Sequence, residues 1–413
     1  MLVVVTAFTT GDLGVKLKKL KRAVVEDALG ALTGFPLTGT ASLLITDGFV
    51  PWAKGLRERT YLDWELKDWP HIYADERSVL EISYDQRTYR LPQFVLFDNS
   101  ATGRKANEIR ISKSATSFSV PKDIRVRTEE AFSAYLKRIS SWGKTYHNDV
   151  NVRLIEIATK EGVLNLVVQD VEYENYIRTN LVLDYDIDGR GTTLRKVVHR
   201  NRILEPLAES PLANNLGINI LIFTIDGQLI IQKRSNKVIV RPNEYCPSAS
   251  GTISSADIPM SGALLSDIPL MREAMEELGC RIADNHDICL LGITRELIRG
   301  GEPELFFAAR SSLSAAEVVS NHGHARDRFE SKSISFFKCD SYAFDQSLDD
   351  PENIARFVSL VDKLIDEFQD QMSIPLWTAI ALWKKARLAG TSLFADKPGN
   401  CQLRHRVAAL GCC

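Results

Sequence analysis

The sequence has few cysteines, and they do not form a recognisable metal site. Its 413 residues contain seven scattered cysteines, with no CxxC pair and no cysteine–histidine spacing of the kind that binds zinc. They are Cys246, Cys280, Cys289, Cys339, Cys401, Cys412 and Cys413. An odd, scattered set of this kind is typical of reduced thiols in a cytoplasmic protein. The terminal pair, Cys412 and Cys413, is either a frayed tail or a lipidation signal.

Long apolar runs and a large net charge are also missing. No segment approaches the roughly 20 apolar residues of a membrane span, and the N-terminal MLVVVTAFTT has no basic residue before its apolar run. We therefore expect a soluble protein without a secretion signal. The formal net charge of -2 gives no overall attraction to nucleic acid or to an anionic membrane. Internal repeats, low-complexity tracts and heptads are absent as well, so a repeat or scaffold architecture is not expected.

The patterns along the chain predict four segments. Residues 1–125 begin with an amphipathic helical pattern and continue as short apolar runs broken by turn residues, which predicts an N-terminal α+β region of unknown role. Residues 126–208 combine a helical pattern with two strands around a Lys-Glu-Gly turn, and we expect them to pack on the third segment. That third segment, residues 209–391, interleaves strands and helices, which predicts a layered α/β domain, and residues 392–413 form a tail.

The third segment opens with a predicted hairpin. Asp226-Gly227 separates the apolar runs in LGINILIFTIDGQLIIQKRS, and Asp-Gly in this setting is a strong hairpin signal. The second strand ends in Lys233 and Arg234. Basic side chains at a strand end are candidates for binding phosphates or sugar hydroxyls of a substrate, and the ordinary alternative is an exposed strand end.

The stretch PLMREAMEELGCRI crowds carboxylates onto one side of a predicted helix. Glu273, Glu276 and Glu277 share one face at helical spacing, and the opposite face is apolar, with Met271, Ala274, Met275 and Leu278. Like charges at this spacing cost about 0.2 to 0.5 kcal/mol per pair, so a compensating cation is expected. A hard divalent ion such as Mg²⁺ suits several carboxylates. The ordinary alternative is a solvated acidic face that stops at Gly279.

The same stretch resembles a known family motif. Residues 272–280, REAMEELGC, match the second half of the Nudix box, R-E-U-x-E-E-x-G-U with U apolar. In the first half, G-x5-E-x7, Gly251 stands at the opening glycine, but it precedes Arg272 by 21 positions where the pattern has 14. Seven extra residues are implied. The position of the first glutamate falls on Leu264 when counted back from Arg272 and on Asp257 when counted forward from Gly251. Neither is a glutamate, so the role stays unassigned.

The order of segments resembles one branch of that family. From YENYIRTN to FESKSISFF, over roughly residues 128–390, the chain is similar to the UDP-glucose and UDP-galactose pyrophosphatases among Nudix hydrolases. The resemblance implies a Nudix α/β/α sandwich with a mixed sheet, preceded by an additional β-rich α+β region. It also implies a Mg²⁺ site, with Mn²⁺ as the alternative. Glu276 and Glu277 would hold the ion, the Gly251 carbonyl and Glu273 would complete the site, and Arg272 would orient Glu273. The general base would be Glu273, Glu304 or Glu330.

The implied reaction is hydrolysis of the diphosphate of UDP-glucose or UDP-galactose to UMP and a sugar 1-phosphate. One alternative is hydrolysis of another nucleoside diphosphate derivative, such as ADP-ribose, a dinucleotide or a coenzyme. Another is a nucleotide-binding Nudix module without turnover. The expected partner is therefore a small nucleoside diphosphate-linked molecule, with no nucleic acid and no membrane span, and the oligomeric state is not predicted.

Overall fold

The structure is a computed structural model that describes residues 73, 78–141, 147–185, 187–188, 192–200, 202–236, 238, 240–265, 269–280, 282, 287–344 and 348–394. Side chains are described for all of these except residues 269–271 and 273. All described residues belong to one compact unit, Glu58–Cys413. The helical pattern near the N-terminus and the Cys412–Cys413 pair lie outside the described residues.

The larger of two sheets is mixed and has nine strands. Its order is β1-β2-β11-β12-β6-β7-β13, with β9 paired to β6 and β8 paired to β7. Among these nine described strands, β12 and β6 are the one pair that runs parallel. The strands are β1 (Val79–Tyr84), β2 (Arg87–Asp98), β6 (Gly217–Phe223), β7 (Gln228–Arg234), β8 (Tyr245–Cys246), β9 (Ala249–Thr252), β11 (Ile288–Glu296), β12 (Glu302–Arg310) and β13 (Ser331–Lys338).

A smaller sheet has the order β10-β3-β5-β4. Its strands are β3 (Ile109–Ser117), β4 (Val150–Lys160), β5 (Val163–Glu172) and β10 (Ala263–Leu264), and β3 pairs with β5 in parallel. The predicted hairpin around Lys-Glu-Gly is confirmed, because β4 and β5 are antiparallel neighbours. Glu161 and Gly162 both have positive φ, at 52° and 81°, which a two-residue turn between twisted strands requires.

Seven α-helices accompany the strands in the described ranges. They are α1 (Lys122–Ser141), α2 (Tyr173–Tyr176), α3 (Leu194–Val198), α4 (Pro269–Leu278), α5 (Ala315–His322), α6 (Pro351–Phe368) and α7 (Ile374–Leu388). A π-helical turn, Ile177–Leu181, comes directly after α2. The helix predicted to carry the crowded carboxylates is α4.

The large sheet separates two apolar cores. Alternate residues of β12 enter different cores, as a strand's period of two requires: Phe306 and Ala308 face α6 and α7, while Phe307 and Ala309 face α4, α5 and the small sheet. The layers are therefore a helix pair, the large sheet, and a third layer that combines helices with the small sheet. The predicted α/β fold with a mixed sheet and an additional β-rich part is confirmed.

The hairpin predicted at Asp226-Gly227 is present but opens quickly. Strands β6 and β7 pair only at Phe223 and Leu229, next to the turn. Further along, β9 pairs with β6 and β8 pairs with β7, so the two long strands diverge.

The large sheet combines predicted segments that are far apart in sequence. Strand β2 pairs with β11, with Gln93 opposite Glu296, so residues 79–98 share a sheet with residues 217–338. The boundaries proposed at 125, 208 and 391 stay predictions. Among the described helices, none is long and apolar enough to cross a membrane. The four cysteines within the described ranges, Cys246, Cys280, Cys289 and Cys339, are buried free thiols.

Candidate functional site

Helix α4 packs through a narrow apolar stripe. Ala274 and Leu278 are wholly buried against the large sheet, whereas Met275 is 48% exposed. The prediction that Met275 belongs to the packed face is therefore wrong, since a helix of ten residues lays only one stripe on the sheet. Glu277, predicted on a presented acidic face, is instead only 5% exposed. One of the three carboxylates is thus turned into the protein.

The end of α4 agrees with the predicted stop at Gly279. Gly279 has φ +62°, and the Cys280 amide donates to the Ala274 carbonyl at 3.0 Å. A left-handed residue with a bond of this kind closes a helix and favours glycine. A Cβ at this position would lie 3.0 Å from the backbone oxygen of Asn321, which leaves little room for any other residue.

Buried Glu277 joins α4 to the diverging strands. The Gln232 side-chain amide of β7 donates to Glu277 Oε2 at 2.7 Å, and the Ser250 amide of β9 lies 3.4 Å from Oε1. Gln232 also donates to the Ser248 carbonyl at 2.6 Å, which fixes its amide orientation. Ser250 directly precedes Gly251. The structure therefore brings Gly251 and Glu277, which the resemblance places at one metal site, to the same junction.

Arg272 contacts two carboxylates. Its Nη2 donates to Asp257 Oδ2 at 3.0 Å, and its Nη1 donates to Glu276 Oε2 at 2.8 Å. Asp257 is the residue reached by counting forward from Gly251, whereas Leu264 lies in β10, paired with β3. The seven extra residues of the motif consequently lie after Asp257. The side chain of Glu273 is outside the described set, so its contact with Arg272 and its role stay predictions.

Glu276 is held by cations on both sides. Besides Arg272, Arg326 Nη1 donates to Glu276 Oε1 at 2.7 Å, and the Asp327 amide donates to the Glu276 carbonyl at 2.8 Å. The loop before β13 thus contacts the last turns of α4. Neither Arg326 nor Gln232 was predicted, because neither belongs to the motif and both reach α4 only through the tertiary fold.

The donors at this junction are chemically suited to a hard divalent cation. Glu276 and Glu277 carry carboxylate oxygens, and Gly251 directly follows Ser250, whose amide lies 3.4 Å from Glu277 Oε1; oxygen donors of this type match Mg²⁺ or Mn²⁺. Among the described side chains, no three His, Cys, Asp or Glu residues are arranged to hold a metal ion. Glu273 is not among the side chains described.

The side chains of Lys233 and Arg234 contact different parts of the protein. Lys233 Nζ donates to Gln371 Oε1 at 2.5 Å and lies 4.6 Å from the centre of the Tyr245 ring, close to the start of α7. Arg234 Nε donates to the Val240 carbonyl at 3.2 Å, and its charge acts on the buried thiol of Cys246 together with that of Glu277. Arg234 follows Gln232 by two positions in β7, and Gln232 contacts Glu277, so Arg234 is the member of the pair on the α4 side of the sheet.

Glu330 lies in the loop that contacts α4. It ends the short helix Arg328–Glu330, and its carbonyl accepts from the Ser235 amide at 2.7 Å, one residue after Arg234. Burial raises the pKa of the Glu330 carboxyl above its usual range, against the opposing effect of Arg234. A partly buried carboxyl with a raised pKa, in a loop that contacts α4, suits a general base.

Glu304 lies in a different environment. It alternates along β12 with Phe306 and Ala308, which face α6 and α7, so its side chain emerges on the sheet face opposite to α4. Gln93 donates to Oε2 at 3.1 Å and Asn219 to Oε1 at 3.3 Å. Burial, with the Glu296 and Glu302 carboxylates, raises the pKa of Glu304 to about 8. The structure therefore separates the two glutamates proposed as alternative bases.

Comparisons with known proteins identify only distant structural likenesses. No protein-family profile matches the sequence, and no curated protein matches it. A NUDIX hydrolase from Nitrosomonas europaea is 14% identical, with a TM-score of 0.26, over 44% of this chain and 93% of that one. A MutT protein from Methanosarcina mazei is 16% identical, with a TM-score of 0.21, over 36% and 94%. A bifunctional NMN adenylyltransferase/ADP ribose pyrophosphatase from Francisella tularensis is 11% identical, with a TM-score of 0.21, over 37% and 41%.

Proposed function

We propose that this protein is a Nudix hydrolase that uses Mg²⁺, or Mn²⁺, to cleave the diphosphate of a nucleoside diphosphate sugar. One observation carries the proposal: the REAMEELGC motif forms a helix in which Arg272 and Glu277 are both fixed by residues on the loop and strand that begin the motif. Asp257 contacts Arg272, and Ser250, next to Gly251, lies against Glu277. The two separated halves of the motif thus meet in space.

The residues that would hold the ion are Glu276, Glu277 and the Gly251 carbonyl, with Glu273 as implied by the resemblance. When bound, the ion would neutralise negative charge on the diphosphate. Arg272 positions Glu276 through the 2.8 Å contact, and Gln232 positions Glu277 through the 2.7 Å contact. Arg234 is the side chain that we assign to a substrate phosphate.

The proposed reaction adds water across the P–O–P linkage. Glu330 accepts a proton from the attacking water, whose oxygen forms a bond to one phosphorus, and the bridging oxygen leaves with the other phosphate. The products are a nucleoside monophosphate and a sugar 1-phosphate, with UDP-glucose or UDP-galactose as the substrate that the sequence resemblance favours. Glu330 is preferred to Glu304 because it lies with Arg234 in the region of α4.

Glu277→Gln tests the proposal directly. Purified protein is incubated with UDP-glucose and Mg²⁺, and the products are identified by mass. We expect UMP and glucose 1-phosphate from the wild type and at least a hundredfold lower kcat in Glu277→Gln, because the amide keeps the side-chain volume but removes the charge that a cation needs.

The matched control is Glu352→Gln on the exposed side of α6, which removes a carboxylate that pairs with Arg356, and it should leave turnover unchanged. Thermal melting of all three proteins separates lost chemistry from lost folding. A substrate panel with ADP-ribose, dinucleotides and coenzymes identifies the leaving group. Wild-type protein that hydrolyses none of these compounds, or undiminished turnover in Glu277→Gln, contradicts the proposal.

A further inference from the structure

An arginine occupies each carboxylate oxygen of Glu276. Arg272 Nη1 donates to Oε2 at 2.8 Å, and Arg326 Nη1 donates to Oε1 at 2.7 Å. Glu276 is also one of the two glutamates assigned above to the divalent ion. An ion bound to Glu276 would lie next to guanidinium groups of the same sign of charge, which repel it. One of the two arginine contacts therefore has to open when Glu276 binds a metal ion.

The two arginines are held differently. Arg272 belongs to α4, four positions before Glu276, and Asp257 accepts from its Nη2 at 3.0 Å. The Arg272 side chain is 32% exposed, whereas that of Arg326 is 77% exposed. Among the described residues, Glu276 is the one carboxylate that pairs with Arg326. A single, exposed ion pair contributes little free energy, so the contact of Arg326 is the one that opens.

The backbone on both sides of Arg326 is anchored close to α4. The Asp327 amide donates to the Glu276 carbonyl at 2.8 Å, and the Ala325 amide donates to the His322 carbonyl at 3.1 Å. The Ala325 side chain is buried. Arg326 lies between these two anchored residues. A guanidinium group that leaves Glu276 consequently stays within one side-chain length of the last turns of α4.

The balance of charge at α4 indicates where Arg326 goes. Arg272 keeps Asp257 as its partner when Glu276 binds an ion, but Arg326 then has no anion beside it. A diphosphate carries several negative oxygens, and the planar guanidinium group binds two phosphate oxygens at once. The proposed function places the diphosphate of the substrate at this same helix. That diphosphate is the anion that Arg326 lacks.

We infer that Arg326 has two positions: it pairs with Glu276 in the metal-free protein, and it binds a phosphate of the substrate once Glu276 holds the ion. The inference rests on the proposed function and adds a substrate-binding residue that lies outside the motif. Arg326 competes with the ion for Glu276 and is released by it. Metal binding and diphosphate binding therefore strengthen each other, as linkage between two sites requires.

Arg326→Gln tests the competition for Glu276. Without the guanidinium group, the nucleotide-free protein should bind Mn²⁺ about two- to fivefold more tightly, which corresponds to the free energy of one exposed ion pair. Titration calorimetry with MnCl₂ measures the dissociation constant. The matched control is Arg328→Gln, which removes the same charge from the same loop at an exposed arginine that donates to the Gly323 carbonyl. It should bind Mn²⁺ as the wild type does.

Methylenediphosphonate tests the second position of Arg326. This compound is a diphosphate analogue that lacks a base, and its carbon bridge cannot be hydrolysed. With Mn²⁺ in excess, Arg326→Gln should bind it about tenfold more weakly than the wild type, because a charge-assisted contact to phosphate is lost. Arg328→Gln should again match the wild type. The expected signature is therefore tighter metal binding together with weaker diphosphate binding, whereas a merely structural role for Arg326 would weaken both.

Glu276→Gln separates the inference from the proposed function. Wild-type protein that binds no Mn²⁺, or undiminished Mn²⁺ binding in Glu276→Gln, overturns the proposed metal site and this inference together. If Mn²⁺ binding depends on Glu276 but is unchanged or weaker in Arg326→Gln, the inference alone fails. It also fails if Arg326→Gln binds methylenediphosphonate as tightly as the wild type. The two opposite shifts in a protein that hydrolyses no sugar nucleotide support the inference and refute only the hydrolase proposal.

Discussion

At the scale of single residues, the described glutamates near α4 and those at the start of β12 occupy two separate environments. Glu276, Glu277 and Glu330 lie around α4, where arginines and strand amides contact them. Glu304 and Glu302 lie at the start of β12 on the opposite sheet face, close to one another and to Glu296. Proximity in sequence to the motif does not identify the group near α4, because β12 follows α4 more closely in sequence than the loop before β13 does, yet it is the loop that contacts α4.

Glu330→Gln tests which glutamate is the general base. A base acts in its deprotonated form, and burial raises the pKa of Glu330, so wild-type kcat/KM should rise with pH through a point above the ordinary glutamate range. Glu330→Gln should lose about 10²- to 10⁴-fold in kcat and no longer show that rise. The measurement is a pH–rate profile with UDP-glucose.

Glu304→Gln is the matched comparison for Glu330→Gln. It removes a more strongly perturbed carboxyl on the other face of the sheet and should retain the acid limb of the wild-type profile. If Glu304→Gln abolishes the limb while Glu330→Gln leaves it intact, the assignments of the two residues must be exchanged.

The sequence reached some of the residues that meet at α4 without predicting their contacts. Counting forward from Gly251 reaches Asp257, whose role the motif leaves unassigned, and in the structure this residue contacts Arg272. The burial of Glu277 was not predictable, because helical spacing says which residues share a face and not which face turns inward. Its partner Gln232 lies 45 positions away in sequence and meets it only through the fold.

At the scale of elements, local sequence signals predicted which helices, strands and turns form better than they predicted which strands pair. The spacing around Gly279 predicted α4 and its end, and the Lys-Glu-Gly turn predicted the β4–β5 hairpin. The Asp226-Gly227 turn also formed, yet β6 and β7 separate because β9 and β8 take their hydrogen bonds. The sequence of a turn does not show which other strands will compete for the hydrogen bonds of the two strands that it joins.

Gly279→Ala tests the end of α4. At φ +62° an alanine is strained, and its Cβ would lie 3.0 Å from the Asn321 backbone oxygen. We expect a loss of about 1 to 3 kcal/mol in the free energy of unfolding, measured by urea denaturation. Turnover should fall as well, since Glu276 and Glu277 belong to the last turn of this helix.

Gly323→Ala is the matched control for Gly279→Ala. Gly323 has φ -56° at the end of α5, and its nearest contact to an added Cβ is 3.6 Å, so the substitution should be neutral or slightly stabilising. Equal stability losses in the two variants would show that the left-handed backbone at Gly279 contributes nothing specific.

At the scale of the whole molecule, the large sheet brings together polar side chains from distant parts of the chain. Gln93 of β2, Asn219 of β6 and Glu304 of β12 meet by hydrogen bonds across the sheet. Gln93 also accepts from Thr294 at 2.7 Å, so its amide orientation is fixed. Such a cluster has no sequence motif, because its members are joined by strand order alone.

The buried carboxyl of Glu304 makes the stability of the whole folded unit depend on pH. Its pKa rises from the ordinary 4.5 to about 8 on folding, so the folded state holds a proton that the unfolded chain releases. The resulting stabilisation is complete below the unfolded pKa and is lost as pH rises through about 8. The free energy of unfolding should therefore decline towards alkaline pH, by at most about 1.4 kcal/mol per pH unit for one proton.

Glu304→Gln removes this titrating group, so urea denaturation at several pH values should show a shallower decline than in the wild type. Glu302, whose pKa burial raises to about 7, continues to titrate in the variant, so the dependence is reduced and not abolished. Glu352→Gln, at an exposed position in α6, should reproduce the wild-type slope. Identical slopes for Glu304→Gln and the wild type would mean that Glu304 is ionised in the folded protein, with Gln93 and Asn219 stabilising the charged form that burial opposes.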